Sequence, residues 1–65
     1  MHFVFYNTND VFIAEEKLQQ QNISVEVVPT PVQDKAYCGV CAHISAKDEA
    51  IAIEALQGMD YQTVK

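Results

Sequence analysis

Residues 23–44 read ISVEVVPTPVQDKAYCGVCAHI, and this stretch decides the fold because it predicts two strands joined by a connection. From Ile23 to Val28 the side chains alternate enough to form a strand, until Pro29 removes a backbone donor. Residues Pro29 to Lys35 form the predicted connection, and the strand pattern returns from Tyr37 to Ile44. The faces predicted for this second strand are Val40, Ala42 and Ile44 on one side and Gly39, Cys41 and His43 on the other.

A strand and a helix are predicted before this stretch. His2 to Tyr6 is short, aromatic and β-branched, which predicts a strand with Phe3 and Phe5 on one face. A helix is predicted from about Asp10 to Gln21, because apolar residues recur there at intervals of three and four, and Asn22 is its predicted stop. The polar residues available to cap the helix start are Asn7, Thr8 and Asn9. The aromatic side chains expected in the core are Phe3, Phe5, Tyr6 and Phe12.

A second helix and a fourth strand are predicted after it. Ser45 is the predicted cap, and its spacing to Asp48 resembles a capping box. The helix continues from Ala50 to Leu56 until Gly58, and the final strand covers Tyr61 to Val64. The order strand, helix, strand, strand, helix, strand predicts an α+β fold of the ferredoxin-like βαββαβ type, with a four-stranded antiparallel sheet and two helices on one face.

Composition limits the classes of function. The 65 residues are enough for one small domain, residues 1–65, which buries only roughly 60% of its unfolded surface, so a homodimer would be an economical source of stability. Four Lys plus Arg against nine Asp plus Glu give a net charge of −5, which argues against nucleic acid or an anionic membrane as a partner. With no basic leader and no long apolar run, the expected location is the cytoplasm.

Both cysteines of the chain lie in Cys38-Gly39-Val40-Cys41, and a close pair in a reducing compartment is typical of redox, carrier or metal chemistry. In an extended strand residues three apart are roughly 10 Å apart at Cα, so a disulfide between them requires a bend, which Gly39 could supply. Three residues separate Cys41 from the predicted cap of the second helix. Stabilisation of a thiolate by a helix N-terminus is therefore not expected.

A combination of short motifs resembles a known family. The run Val27-Val28-Pro29-Thr30-Pro31 follows an Ala-Glu-Glu-Lys-Leu helix and precedes Cys38-Gly39, seven residues after Pro31. In this it resembles the DUF3343 family of selenium or sulfur carrier-like proteins, over nearly the whole chain. The resemblance implies that Cys38 carries sulfur or selenium as a persulfide or perselenide, and that the partners are sulfur or selenium donor and acceptor proteins.

The chain also departs from the family pattern. Family members often carry Arg directly after the second Pro, where this chain has Val32, and small hydroxyl residues where it has Lys35-Ala36-Tyr37. Lys35 is a candidate replacement for the missing positive charge.

The candidate site residues follow from these observations. Cys38 is the candidate carrier thiol, and Cys41 is either a resolving thiol or a small buried hydrophobe. The residues expected to position the loop are Pro29, Thr30, Pro31 and Gly39. His43 is interpreted as an ordinary strand residue.

Three classes of function remain open. The first is a sulfur or selenium carrier, and the second is a metal-binding module in which Cys38 and Cys41 form half of a zinc site that a dimer completes. The third is a non-catalytic interaction or dimerisation module. No cofactor and no metal site within one chain are predicted, and the sequence leaves open whether the chain turns over as an enzyme.

Overall fold

Strands and helices follow one another along the chain in the predicted order. The computed structural model describes residues 1–31 and 36–64. The elements are β1 (His2–Val4), α1 (Thr8–Gln20), β2 (Val25–Pro29), β3 (Val40–Ile44), a 3₁₀ helix (Ala46–Asp48), α2 (Glu49–Ala55) and β4 (Gln62–Val64). The strands form one sheet in the order β2-β3-β1-β4, and each neighbouring pair is antiparallel. The α+β, ferredoxin-like prediction is confirmed.

One face of the sheet packs against both helices. Phe3 and Phe5 are completely buried there, as the aromatic pattern predicts. They belong to a core cluster with side chains from β3, from both helices and from the C-cap of α2, which include Ala42, Ile44, Val11, Ala14, Leu18, Ala52 and Leu56. The apolar residues at every second position of the strands therefore pack in one layer with those at every third or fourth position of the helices.

Two of the four aromatic residues expected in the core lie at the surface. Tyr6 is 44% exposed and Phe12 is 53% exposed, so the core prediction is wrong for both. Tyr6 follows the end of β1, where its ring stacks against Tyr37 at a centroid distance of 5.4 Å. Phe12 immediately follows the buried Val11, and neighbouring helix positions point in different directions.

The first helix begins two residues earlier than predicted. Asn7 is its N-cap, and the Asn7 Oδ1 atom accepts a hydrogen bond of 2.8 Å from the backbone N–H of Asp10. At the other end, Asn22 has a positive φ of 60°, which is the left-handed conformation that a helix stop requires. Gly58 plays the same part after α2, with a φ of 93°.

The capping box predicted at the second helix is not formed. Ser45 is the N-cap of the 3₁₀ helix, but its side chain makes no capping hydrogen bond. Instead the Ser45 carbonyl accepts a hydrogen bond of 3.0 Å from the Asp48 backbone N–H, which closes a tight 3₁₀ turn before α2. Among the described residues, no helix is long and apolar enough to cross a membrane.

The third strand begins three residues later than predicted, at Val40. The backbone bends at Tyr37 and Gly39 before it. In this segment the Cys38 N–H donates to the Phe5 carbonyl at 2.8 Å, and the Gly39 carbonyl accepts from the Thr30 N–H at 3.0 Å. These two bonds connect the segment to the residue that follows β1 on one side and to the residue that follows β2 on the other. Cys38 and Gly39 therefore lie in the loop that leads into β3.

Candidate functional site

The Cys38 side chain lies at the beginning of α1. Its Sγ atom is 3.0 Å from the hydroxyl Oγ1 of Thr8, the first residue of that helix. The thiol is half-buried and packs against the edge of the apolar core. The backbone bond from Cys38 to Phe5 fixes the loop against the segment that joins β1 to α1.

A helix N-terminus therefore does stand next to a thiol, contrary to the expectation from the sequence. The expectation applies to the helix that follows the cysteines, whereas in the structure the preceding helix contacts Cys38. The first turn of a helix exposes backbone N–H groups and carries the positive end of the helix dipole, so it favours a negatively charged ligand. With 13 residues, α1 is long enough for this effect.

Thr30 ties the Pro-Thr-Pro segment to the Cys-Gly pair. Its hydroxyl donates a hydrogen bond of 2.6 Å to the Cys38 carbonyl, and its backbone N–H donates to the Gly39 carbonyl. Pro29 is the last residue of β2, and Pro31 is exposed. Of the four residues expected to position the loop, Thr30 and Gly39 thus meet directly.

Gly39 borders open space. A β-carbon added at this position would have no described atom within 4 Å, and its backbone has no positive φ. Within the described residues, nothing in the packing requires glycine at position 39. The absence of a side chain leaves room beside Cys38 for a group that approaches from outside.

Cys41 occupies a very different environment. It is completely buried, its register partners are Val4 in β1 and Val28 in β2, and its Sγ atom lies 3.9 Å from the Pro29 carbonyl oxygen. Burial raises the pKa of the Cys41 thiol above its ordinary value, and the Thr30 hydroxyl opposes part of that rise. Cys41 is therefore held as a neutral thiol at neutral pH, which is a poor nucleophile.

The two cysteines are not joined. Both are free thiols. Cys38 packs against the core cluster. Cys41 lies on β3 next to Ala42, whose side chain belongs to that cluster. Because successive strand residues point to opposite faces, the Cys41 side chain projects away from the helices.

One contact of the candidate thiol was missed by reasoning from the sequence. The sequence indicates only a capping role for Thr8, and 30 positions separate it from Cys38. The fold indicates this contact, because the end of β1 lies beside the start of β3 when these strands pair antiparallel. Val32 and Lys35, the positions of the departures from the family pattern, lie outside the described residues.

The described part of the chain contains no group of three or more His, Cys, Asp or Glu side chains that could hold a metal ion.

A family model matches nearly the whole chain. No curated protein and no solved structure matches the chain. The family model described as "Putative Se/S carrier protein-like" matches residues 2–64, which includes both cysteines and the helix that reaches Cys38. The chain therefore belongs to the Se/S carrier protein-like family.

Proposed function

We propose that this protein carries sulfur or selenium as a persulfide or perselenide on Cys38. Membership of the Se/S carrier protein-like family supports a carrier in general. The observation that carries the assignment to Cys38 is the 3.0 Å contact between its Sγ atom and Thr8 Oγ1 at the start of α1. A carrier thiol needs access to partners and an environment that tolerates a negative charge, and this position offers both.

The transfer is an exchange between sulfur atoms. The Cys38 thiolate attacks the outer sulfur of a persulfide on a donor protein, forming a new S–S bond to Cys38. The donor's S–S bond breaks, and its electron pair leaves with the donor thiolate. An acceptor thiolate then removes the outer sulfur from Cys38 in the same way, so that neither an oxidant nor a reductant is consumed. A selenium atom in the outer position follows the same scheme.

Thr8 and Thr30 have separate parts in this proposal. The Thr8 hydroxyl donates a hydrogen bond to the thiolate, and the first turn of α1 stabilises its charge. Thr30 holds the Cys38 backbone through the 2.6 Å bond to its carbonyl, so that the sulfur stays at the helix end. Gly39 leaves the approach open for the donor or acceptor.

Cys41 is a structural residue in this proposal. Its complete burial and raised pKa favour the small buried hydrophobe among the two interpretations of this residue. A resolving thiol would have to leave its position between Val4 and Val28 to reach a persulfide on Cys38.

The proposal includes a cellular location and partner proteins. A cytoplasmic location fits, because a reducing compartment keeps both thiols free. The partners are donor and acceptor proteins with persulfide or selenium chemistry of their own. A homodimer is also part of the proposal, and sedimentation velocity over a range of concentrations tests it, since a dimer sediments faster and dissociates on dilution.

Cyanide treatment tests whether the chain holds transferable sulfur. The reduced protein is incubated with a polysulfide donor, separated from it, and treated with cyanide, which removes an outer sulfur as thiocyanate. We expect stoichiometric thiocyanate from the wild type and from Cys41→Ser, and none above background from Cys38→Ser. Equal thiocyanate from Cys38→Ser and the wild type would contradict the assignment to Cys38, and no thiocyanate from the wild type would favour a non-catalytic interaction module.

A further inference from the structure

We propose that His2 and His43 form a binding site for a late divalent transition metal, such as Ni²⁺ or Zn²⁺, on the sheet face that points away from the helices. The two rings are side by side, with centroids 4.6 Å apart and an interplanar angle of 49°. Both histidines are half-buried, so part of each residue is accessible to solvent. Neither residue belongs to the Cys38 site.

The strand register explains why the rings meet. Met1 and Ile44 exchange both backbone hydrogen bonds, from the Met1 amine to the Ile44 carbonyl at 3.2 Å and from the Ile44 N–H to the Met1 carbonyl at 3.0 Å. The next pair along the ladder, His2 opposite His43, is consequently a non-hydrogen-bonded pair. Side chains are closest in such pairs, with Cα atoms roughly 4.5 Å apart, which explains the contact between the two imidazoles.

A hydrogen bond prepares one of the two rings as a ligand. The Nδ1 atom of His2 lies 3.3 Å from the Val64 carbonyl oxygen in β4. A carbonyl oxygen can only accept, so Nδ1 carries the proton, and in the neutral ring the lone pair is on Nε2. Metal-binding histidines typically donate their other ring N–H to a carbonyl or carboxylate in this manner. This hydrogen bond thus sets the tautomer of His2 that leaves Nε2 free to bind a metal.

The charge around the pair favours a cation. Glu26 of β2 is the register partner of His43, so the row across the sheet reads Glu26, His43, His2. The net charge of the chain is −5, which adds a general attraction. Imidazole nitrogen suits nickel, copper and zinc rather than magnesium or calcium, which bind oxygen ligands. With two protein ligands, water molecules complete the coordination.

Thermal unfolding with Ni²⁺ tests the site. A ligand that binds only the folded protein raises the melting temperature as its concentration increases. We expect Ni²⁺ to raise the melting temperature of the wild type and of Cys38→Ser, and to leave both His2→Gln and His43→Gln unchanged. The inference would be overturned by equal shifts in the histidine variants, by no shift in the wild type, or by a shift that disappears in Cys38→Ser, which would place the metal on the thiol.

A spectroscopic measurement on the unmodified chain does not depend on the folding of the variants. Zn²⁺ is added to the wild type while the imidazole C–H resonances of His2 and His43 are followed by NMR. The proposed site requires that both sets of resonances change together and reach saturation at the same metal concentration. A change in one ring alone, or in neither, contradicts the inference.

Discussion

Thr8 is the residue whose side chain contacts the proposed carrier sulfur. Replacing it by valine preserves the β-branched shape but removes the hydroxyl that lies 3.0 Å from Cys38 Sγ. A typical hydrogen bond contributes about 0.5 to 1.5 kcal/mol, which corresponds to a rate change of roughly two- to tenfold. We expect iodoacetamide to alkylate Cys38 more slowly in Thr8→Val by this factor. Mass spectrometry of the modified protein measures the rate for each cysteine.

The matched control for this prediction is Thr8→Ser. Serine retains the hydroxyl, so its Cys38 should react at nearly the wild-type rate. Equal rates in Thr8→Val and the wild type would mean that the hydroxyl does not support the thiolate.

Cys41 gives a pH-dependent prediction. Its pKa is raised in the folded protein above the ordinary value of 9.0, so the folded state holds this proton more tightly than the unfolded state. The resulting stabilisation is fully present below that value and is lost as the pH rises through the folded-state pKa. The free energy of unfolding of the wild type should therefore fall more steeply above pH 9.0 than that of Cys41→Ala.

Urea denaturation at a series of alkaline pH values measures this difference. All other titratable groups are common to both proteins, so their contributions cancel in the comparison. Parallel pH profiles would contradict the buried, neutral thiol.

At the scale of elements, the start of α1 is the feature on which the site depends. The Asn7 side chain caps this helix through Asp10, and Thr8 follows directly. Loss of an N-cap typically costs about 1 kcal/mol, so Asn7→Ala should lower the free energy of unfolding by that amount. Asn7→Ser, which can still accept the hydrogen bond, should lose much less. Chemical denaturation of both variants checks the prediction, and equal stabilities would argue against the cap.

The order of the elements was predictable from the sequence, but several of their ends were not. Periodic apolar residues identified both helices, and the positive φ values at Asn22 and Gly58 match the stops that their residue types predicted. The sequence places the beginning of β3 too early, because Tyr37 and Cys38 are compatible with a strand, whereas they lie in a loop that backbone hydrogen bonds tie to Phe5 and Thr30. Such long-range hydrogen bonds leave no local pattern in the sequence.

At the scale of the whole molecule, strand pairing builds both proposed sites. Because β1 and β3 are antiparallel neighbours, the end of β1 and the start of α1 lie beside the loop that enters β3. The same pairing places His2 opposite His43. The predicted topology implies that the start of α1 lies near the loop that enters β3. The prediction for the thiol, however, applies only to the helix that follows the cysteines. The histidine pair required the register, which the sequence pattern did not specify.

The most direct test of the central claim is the intact mass of the reduced protein after exposure to a sulfane-sulfur donor, with Cys38→Ser and Cys41→Ser measured in parallel. We predict an added mass of about 32 Da, one sulfur atom, on the wild type and on Cys41→Ser, and no such addition on Cys38→Ser. An unmodified Cys41→Ser protein, under conditions that load a control thiol, would contradict the assignment of Cys38 as the carrier residue.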